Sequence, residues 1–117
     1  MKSGINYKSG DVVLAYVPFV DSNSFKQRPA LVLFNELGNI VLAGITSNLK
    51  MKGVSLTKQE GMLVNSVIKL NYIFTCNDDL IKGKLTELST SKKSEVHKEF
   101  LKLIDNFKFP TYRRQSS

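Results

Sequence analysis

Two segments decide how this chain folds: Gly10-Asp11-Val12-Val13-Leu14-Ala15-Tyr16-Val17-Pro18-Phe19 and, after a short polar stretch, Lys26-Gln27-Arg28-Pro29-Ala30-Leu31-Val32-Leu33. Each is a strand-length run of Val, Leu, Ala and Tyr, punctuated by Gly or Pro. In the first run both sets of alternate positions are apolar, Val12, Leu14 and Tyr16 on one side and Val13, Ala15 and Val17 on the other. A strand of that kind is covered on both faces, one by a barrel interior and the other by a helix or a second subunit.

Working outward, Pro29 to Phe34, Asn39 to Thr46 and Ser66 to Phe74 read as further strands, with Glu36-Leu37-Gly38-Asn39 as a hairpin turn whose Gly38 and Asn39 tolerate positive φ. Residues 47–65 are less regular and hold one more strand near Val54-Ser55-Leu56. A short helix is expected to start at Asn77-Asp78-Asp79 and run through Leu80-Ile81 towards Gly83. From Ser91, read as an N-cap, Val96, Phe100, Leu103, Ile104 and Phe107 follow the period of one helical face, with Lys92, Lys98, Glu99, Lys102 and Asp105 on or near the other. Pro110 stops that helix and residues 111–117 form a polar, basic tail. The fold class expected is mainly β with α, a small, strongly curved sheet or barrel carrying a C-terminal amphipathic helix. One domain over residues 1–117 follows, with its core at about 9–107 and the tail at 108–117.

Composition sets the bounds on function. With 117 residues, 42% hydrophobic and 23% charged, the chain is neither disordered nor collagen-like, and a single Cys excludes an internal disulfide. The 17 Lys+Arg against 10 Asp+Glu give a net charge of +7, which suits an anionic partner such as nucleic acid or an acidic protein. One His and one Cys provide no zinc spacing, and no nucleotide-binding or metalloprotease motif occurs. The apolar runs are too short to span a bilayer and no leader is visible, so a cytoplasmic protein is expected, with no membrane partner.

Several residues could carry chemistry. Arg28 is the only Arg before residue 113; Pro29 behind it holds the backbone extended at the mouth of an apolar strand, a place suited to phosphate. It reads equally as an ordinary solvated Arg. Thr46, Ser47 and Asn48 end a strand with short hydrogen-bonding side chains, able to orient a phosphate or ribose hydroxyl or simply to form a turn. Alternation puts Lys69 and Asn71 on one face with Val67, and Ile68, Leu70 and Tyr72 on the other; that polar face would contact RNA or protect an edge strand. His97 reads as a structural helix residue and Cys76 as a packed thiol.

Taken in order, the segment from Gly10 to Phe19, the Lys26 to Leu33 run, Ile45-Thr46-Ser47, Ser66-Val67-Ile68-Lys69, Ile73-Phe74-Thr75 and the final helix after Leu88-Ser89 resemble the PemK/MazF toxins of type II toxin–antitoxin systems. The resemblance covers roughly residues 9–107. It implies an SH3-like barrel, usually a homodimer, acting as a metal-independent endoribonuclease on single-stranded RNA and inhibited by an acidic antitoxin protein. No metal or cofactor is expected. The family's essential Arg and Thr match Arg28 and Thr46, as catalytic residues. A strand position that is Arg in many relatives is Lys69 here, and one that is acidic in some is Asn71. Lys26, Gln27 and Ser47 complete the expected phosphate and RNA contacts, with Phe19 and Phe25 as base-stacking candidates and residues 22–24 as edge readers. Other readings from the same fold class are a non-catalytic RNA-binding barrel and a gyrase-directed toxin of the CcdB group; the latter relies on a Trp-containing tail, and this chain has no Trp.

Overall fold

The side of the first strand that carries Val13, Ala15 and Val17 is buried throughout, while on the other side Val12 is buried and Leu14 and Tyr16 are half-buried. The computed structural model describes residues 6–18 and 25–109. Within them β1 (Asp11–Pro18), β2 (Phe25–Glu36), β3 (Asn39–Thr46), β4 (Val54–Leu56), β5 (Ser66–Cys76) and β6 (Ile81–Glu87) pair antiparallel in the order β4-β5-β3-β2-β1-β6. The sheet curls into a half-barrel, and α1 (Thr90–Ile104) follows it. On the helix side Val12 packs with Leu31, Ala43, Ile45, Leu56, Ile68, Leu70 and Val96. On the opposite side Val13, Ala15 and Val17 join Ala30, Val32, Ile40, Leu42 and Ile81. Each large aliphatic side chain buried this way contributes roughly 1.5–3 kcal/mol.

The Gly10-Asp11 pair is structural. Gly10 sits at φ +96, its N–H donates to Val32 O (3.0 Å), and its own carbonyl accepts from Leu88 N (2.9 Å), tying β1 to β2 and to the entry of the helix. An added Cβ would also fall 2.6 Å from Lys93 Cε. The buried Asp11 carboxylate accepts from the Lys8 backbone N–H (3.0 Å) and from Lys8 Nζ (3.3 Å), and pairs with Lys84 Nζ (3.2 Å). Glu87, opposite Asp11 in the β1–β6 register, adds pairs to Lys84 (3.2 Å), Lys93 (3.2 Å) and Lys8 (3.5 Å).

The expected elements need four corrections. The segment starting at Asn77 makes only one 3-10 turn, Asp78–Leu80, with Asn77 Oδ1 accepting from Asp79 N (2.9 Å), and then becomes β6. The cap signal was real, but β1 supplies pairing partners for Ile81 onward and the strand wins. The long helix is capped by Ser89, whose hydroxyl accepts from Lys92 N (3.1 Å), not by Ser91. Lys92 does not lie on the solvated face: its ammonium donates to Ser55 O (2.7 Å) and pairs with Glu60 (3.3 Å) and Glu95 (3.1 Å). At the β2–β3 hairpin the positive φ values fall on Leu37 (+54) and Gly38 (+89), while Asn39 already belongs to β3.

Of the apolar helix face, Val96 is buried and Phe100 packs against the core, but Leu103, Ile104 and Phe107 are exposed. No helix among the described residues is long and apolar enough to cross a membrane.

Candidate nucleic-acid interface

Arg28 stands inside β2, not in a loop at its mouth, because pairing with β1 extends the strand back to Phe25. Ala15 is opposite Arg28 and Val17 opposite Lys26. Residues opposite one another in an antiparallel pair share a face, and so do residues two apart. Lys26 and Arg28 therefore project on the side of Ala15, Val17 and Ala30. Gln27 takes the other side, where its Nε2 donates to Tyr16 Oη (3.1 Å). The structure thus separates Gln27 from its two basic neighbours.

The same register carries the row across the sheet. Ala30 pairs with Gly44 and Gly44 with Lys69, so Ala30, Gly44 and Lys69 share that face. Extending the β2–β3 register by two residues sets Arg28 against Thr46, just past the last paired rung, and Thr46 pairs with Val67. Arg28, Thr46 and Lys69 are brought to one end of one face on three adjacent strands, which spans about 10 Å from the first to the third. Arg28 is exposed and Thr46 and Lys69 are half-buried. The Thr46 hydroxyl oxygen accepts from Asn48 N (3.1 Å), which fixes its position and leaves its proton free to be donated elsewhere. Asn48 is used by the loop itself, its Oδ1 accepting from Lys50 N (3.1 Å), and Ser47 is exposed beside it.

The electrostatics of this end follow from what the chain omits. Between Glu36 and Asp78 the only acidic residue is Glu60, against Lys50, Lys52, Lys58 and Lys69. Glu60 is turned away into its own cap: burial pushes its pKa up, but the Thr57 backbone N–H (2.8 Å), the Thr57 hydroxyl (3.1 Å) and Lys92 outweigh that and hold it below the ordinary carboxylate value. An anion at the Arg28–Thr46–Lys69 end therefore meets cations and hydrogen-bond donors, with no acidic residue on the strand segments that frame it.

Asn71 does not follow Lys69 by simple alternation. Between the Gly44–Lys69 and Ala43–Ile73 rungs, residues 70–72 of β5 have no counterpart on β3. This bulge reverses the pleat, so Leu70 joins the helix-side core while Tyr72 packs on the opposite side. Tyr72 was expected to face away from Lys69; it lies instead over Gly44, where an added Cβ would come within 2.5 Å of its ring. Asn71 is exposed within the bulge. The sequence hides this because the bulge arises only from the pairing of β5 with β3.

Phe19, residues 22–24 and the Arg113-Arg114 pair lie outside the described residues, as does the side chain of Phe25. His97 is exposed and lines an apolar cleft of about 270 Å³ between β2 and α1, with Leu33, Phe34, Val96 and Phe100; the cleft is not built from the Arg28 row. Cys76 is buried, and burial followed by the nearby Asp78 raises its thiol pKa, which suits a packed side chain. Among the described residues no three His, Cys, Asp or Glu gather as a metal site.

Fold and site together define a small antiparallel half-barrel with Arg28, Thr46 and Lys69 at one end of its sheet. The family model of PemK-like, MazF-like toxins of type II toxin–antitoxin systems matches residues 8–104, and the chain belongs to that family. Among solved structures it is similar to the Mycobacterium tuberculosis toxin MazF-mt6, with 20% identity over 81% of this chain and 96% of that one and a TM-score of 0.67. A MazE–MazF structure from Deinococcus radiodurans is similar at 20% identity over 84% and 95%, with a TM-score of 0.66. A mycobacterial endoribonuclease in complex with its cognate antitoxin gives 14% identity over 84% and 89%, with a TM-score of 0.59. No curated protein sequence matched.

Proposed function

We propose that this protein is the endoribonuclease toxin of a toxin–antitoxin pair, cutting single-stranded RNA by attack of a ribose 2′-OH on its own 3′ phosphate. The observation that carries the reading is the placement of Arg28, Thr46 and Lys69 on one face at one end of three adjacent strands. The substrate supplies the nucleophile, so DNA, which lacks the 2′-OH, is not cut. As the 2′-oxygen bonds to phosphorus, the P–O5′ bond breaks. The 2′ proton leaves to solvent and the departing 5′ oxygen takes one up, giving a 2′,3′-cyclic phosphate and a 5′-hydroxyl. Arg28 stabilises the charge that builds on the phosphate, Lys69 adds a second cation, and the Thr46 hydroxyl donates to a phosphate oxygen or aligns the 2′-OH. Lys26 extends the cationic row and Ser47 lies at its edge.

The same surface suits an acidic antitoxin segment, which would block the site by occupying it. A homodimer is also part of the reading: the exposed Leu103 and Ile104 at the end of α1 and Phe107 in the 3-10 turn after it form an apolar stripe that a second copy would cover. The test is incubation of purified protein with a long single-stranded RNA in EDTA, followed by mapping of the cut ends. Cyclic phosphate and 5′-hydroxyl ends are expected, and their loss in Arg28→Ala. Binding without cutting would leave a non-catalytic RNA-binding barrel; full cleavage by Arg28→Ala would overturn the assignment of the site.

A further inference from the structure

We propose that Tyr72 is the platform on which this site stacks an RNA base next to the scissile phosphate, an inference that rests on the RNA-cleaving function proposed above. The bulge at residues 70–72 exists at a cost in sheet pairing, and its effect is to move one aromatic ring from the helix side to the face that carries Arg28, Thr46 and Lys69. Gly44 makes room for that ring. A Cβ there would lie 2.5 Å from Tyr72 Cδ2 and 3.2 Å from Cε2, so any other residue would push the ring away. Gly44 pairs with Lys69 and is two residues, roughly 7 Å of strand, from Thr46, which puts the ring beside the phosphate-binding row. The Phe74 ring neighbours it, with centroids 5.8 Å apart and planes tilted by 44°. Half-buried and packed beside Gly44 and Phe74, Tyr72 loses little conformational freedom when a base settles on it.

Chemistry supports a base as the occupant. Sequence-selective recognition of single-stranded RNA works by splaying bases out onto aromatic rings, and stacking tolerates every base. A ring beside a cationic row that tracks the phosphates is the arrangement such recognition requires.

The experiment uses an RNA that the wild-type protein cuts, with its cut site mapped, and two derivatives carrying an abasic nucleotide immediately 5′ or 3′ of the cut. Wild type, Tyr72→Phe and Tyr72→Ala are compared by kcat and KM. Removing one flanking base is expected to raise the wild-type KM about 10-fold, and Tyr72→Ala to do the same on intact RNA. Tyr72→Phe, which keeps the ring, should still lose affinity with the abasic RNA, and the abasic substitution should add nothing further to Tyr72→Ala. Independent, multiplying effects of the two changes, or indifference of the wild type to both abasic positions, would overturn the stacking role while leaving the cleavage function standing. If Tyr72→Ala fails to fold, the abasic series on wild type and Tyr72→Phe decides alone. A wild-type protein that cuts no RNA overturns the function and this inference together.

Discussion

At the Asp11 end of β1 the chain gathers Lys8, Lys84 and Lys93 around Asp11 and Glu87; four residues along, Ala15 faces Arg28 at an end where residues 25–35 of β2, all of β3 and all of β5 carry no acidic residue. The two ends lie about 13 Å apart on one strand, and both are rich in cations. What differs is where the countercharge comes from. At the Asp11 end it is built in, and the ion pairs fasten β1, β6 and the start of α1 together. At the Arg28 end residues 25–35, 39–46 and 66–76 hold no carboxylate, and in the function proposed above an RNA phosphate meets Arg28, Thr46 and Lys69. On the function proposed above, positive charge in this protein serves stability where Asp11 and Glu87 stand beside it and RNA binding where the strand segments hold no carboxylate.

The largest effect expected from breaking this contrast is on the functional end. Arg28→Ala should lower kcat for RNA cleavage by about 10²–10³-fold, the scale of losing one preorganised charge-stabilising group. Because Arg28 is exposed, thermal unfolding should shift by no more than about 0.5 kcal/mol. A large loss of stability would mean that this Arg belongs to the scaffold. The converse substitution, Asp11→Ala, should cost about 2 kcal/mol of folding free energy, since it removes charged hydrogen-bond partners of Lys8 and Lys84 and leaves the Lys8 N–H without its acceptor. A melting temperature lower by about 10 °C is the readout. Cleavage measured well below that temperature should stay within a few-fold of wild type.

Acid should act on the Asp11 end selectively. Burial raises the Asp11 pKa, but the Lys8 backbone N–H and then the Lys84 and Lys8 ammonium groups outweigh it and hold the carboxyl below its ordinary value. Glu87 is drawn down to about 2, first by its hydrogen bonds to Lys84 and Lys93 and then by the charges of Lys8 and Lys84. For a carboxyl whose pKa is lower in the folded than in the unfolded chain, the stabilisation is full above the unfolded value. It is lost as pH falls through the folded one. The melting temperature should thus decline between about pH 4.5 and pH 2, and the decline should be shallower in Glu87→Gln, which begins from a lower plateau. Equal slopes would show that these pairs contribute nothing to the scaffold.

How much of this was legible in the sequence differs between the two ends for physical reasons. β3 and β4 could be read at their actual bounds, and the apolar run of β1 announced its buried Val13-Ala15-Val17 side, although on the other side only Val12 is buried and Leu14 and Tyr16 are half-buried. Arg28 and Thr46 stood out by type and position, and the structure brings them to one face, although assigning them roles still requires the cleavage assay. β6 was hidden because Ile81-Lys82-Gly83-Lys84-Leu85-Thr86-Glu87 is an edge strand with one buried residue, and its partner β1 is remote in sequence. Tyr72 was misplaced because strict alternation has no way to register a three-residue bulge, which only the pairing of β3 with β5 creates. Local patterns carry local structure; register and bulges belong to pairs of strands.

The smallest expected effect lies beyond the Asp11 end, at the β2–β3 hairpin. Leu37 takes φ +54 beside Gly38 at +89, a two-residue turn with both corners in the left-handed region. A leucine there pays a steric penalty that Asn does not, and with 96% of its surface exposed it recovers nothing by packing. Asn35 already supports the turn, its Oδ1 accepting from Gly38 N (3.2 Å) and its Nδ2 donating to Tyr7 O (3.0 Å). Leu37→Asn would create the Asn-Gly pair this turn prefers without disturbing either bond. It should stabilise the protein by about 0.5–1 kcal/mol, a rise of roughly 3–6 °C in melting temperature. RNA cleavage should be unchanged, because the turn is at the opposite end of β3 from Thr46. If instead cleavage fell while stability rose, the two ends would be coupled through β3, and the separation of scaffold from site along these strands would be wrong.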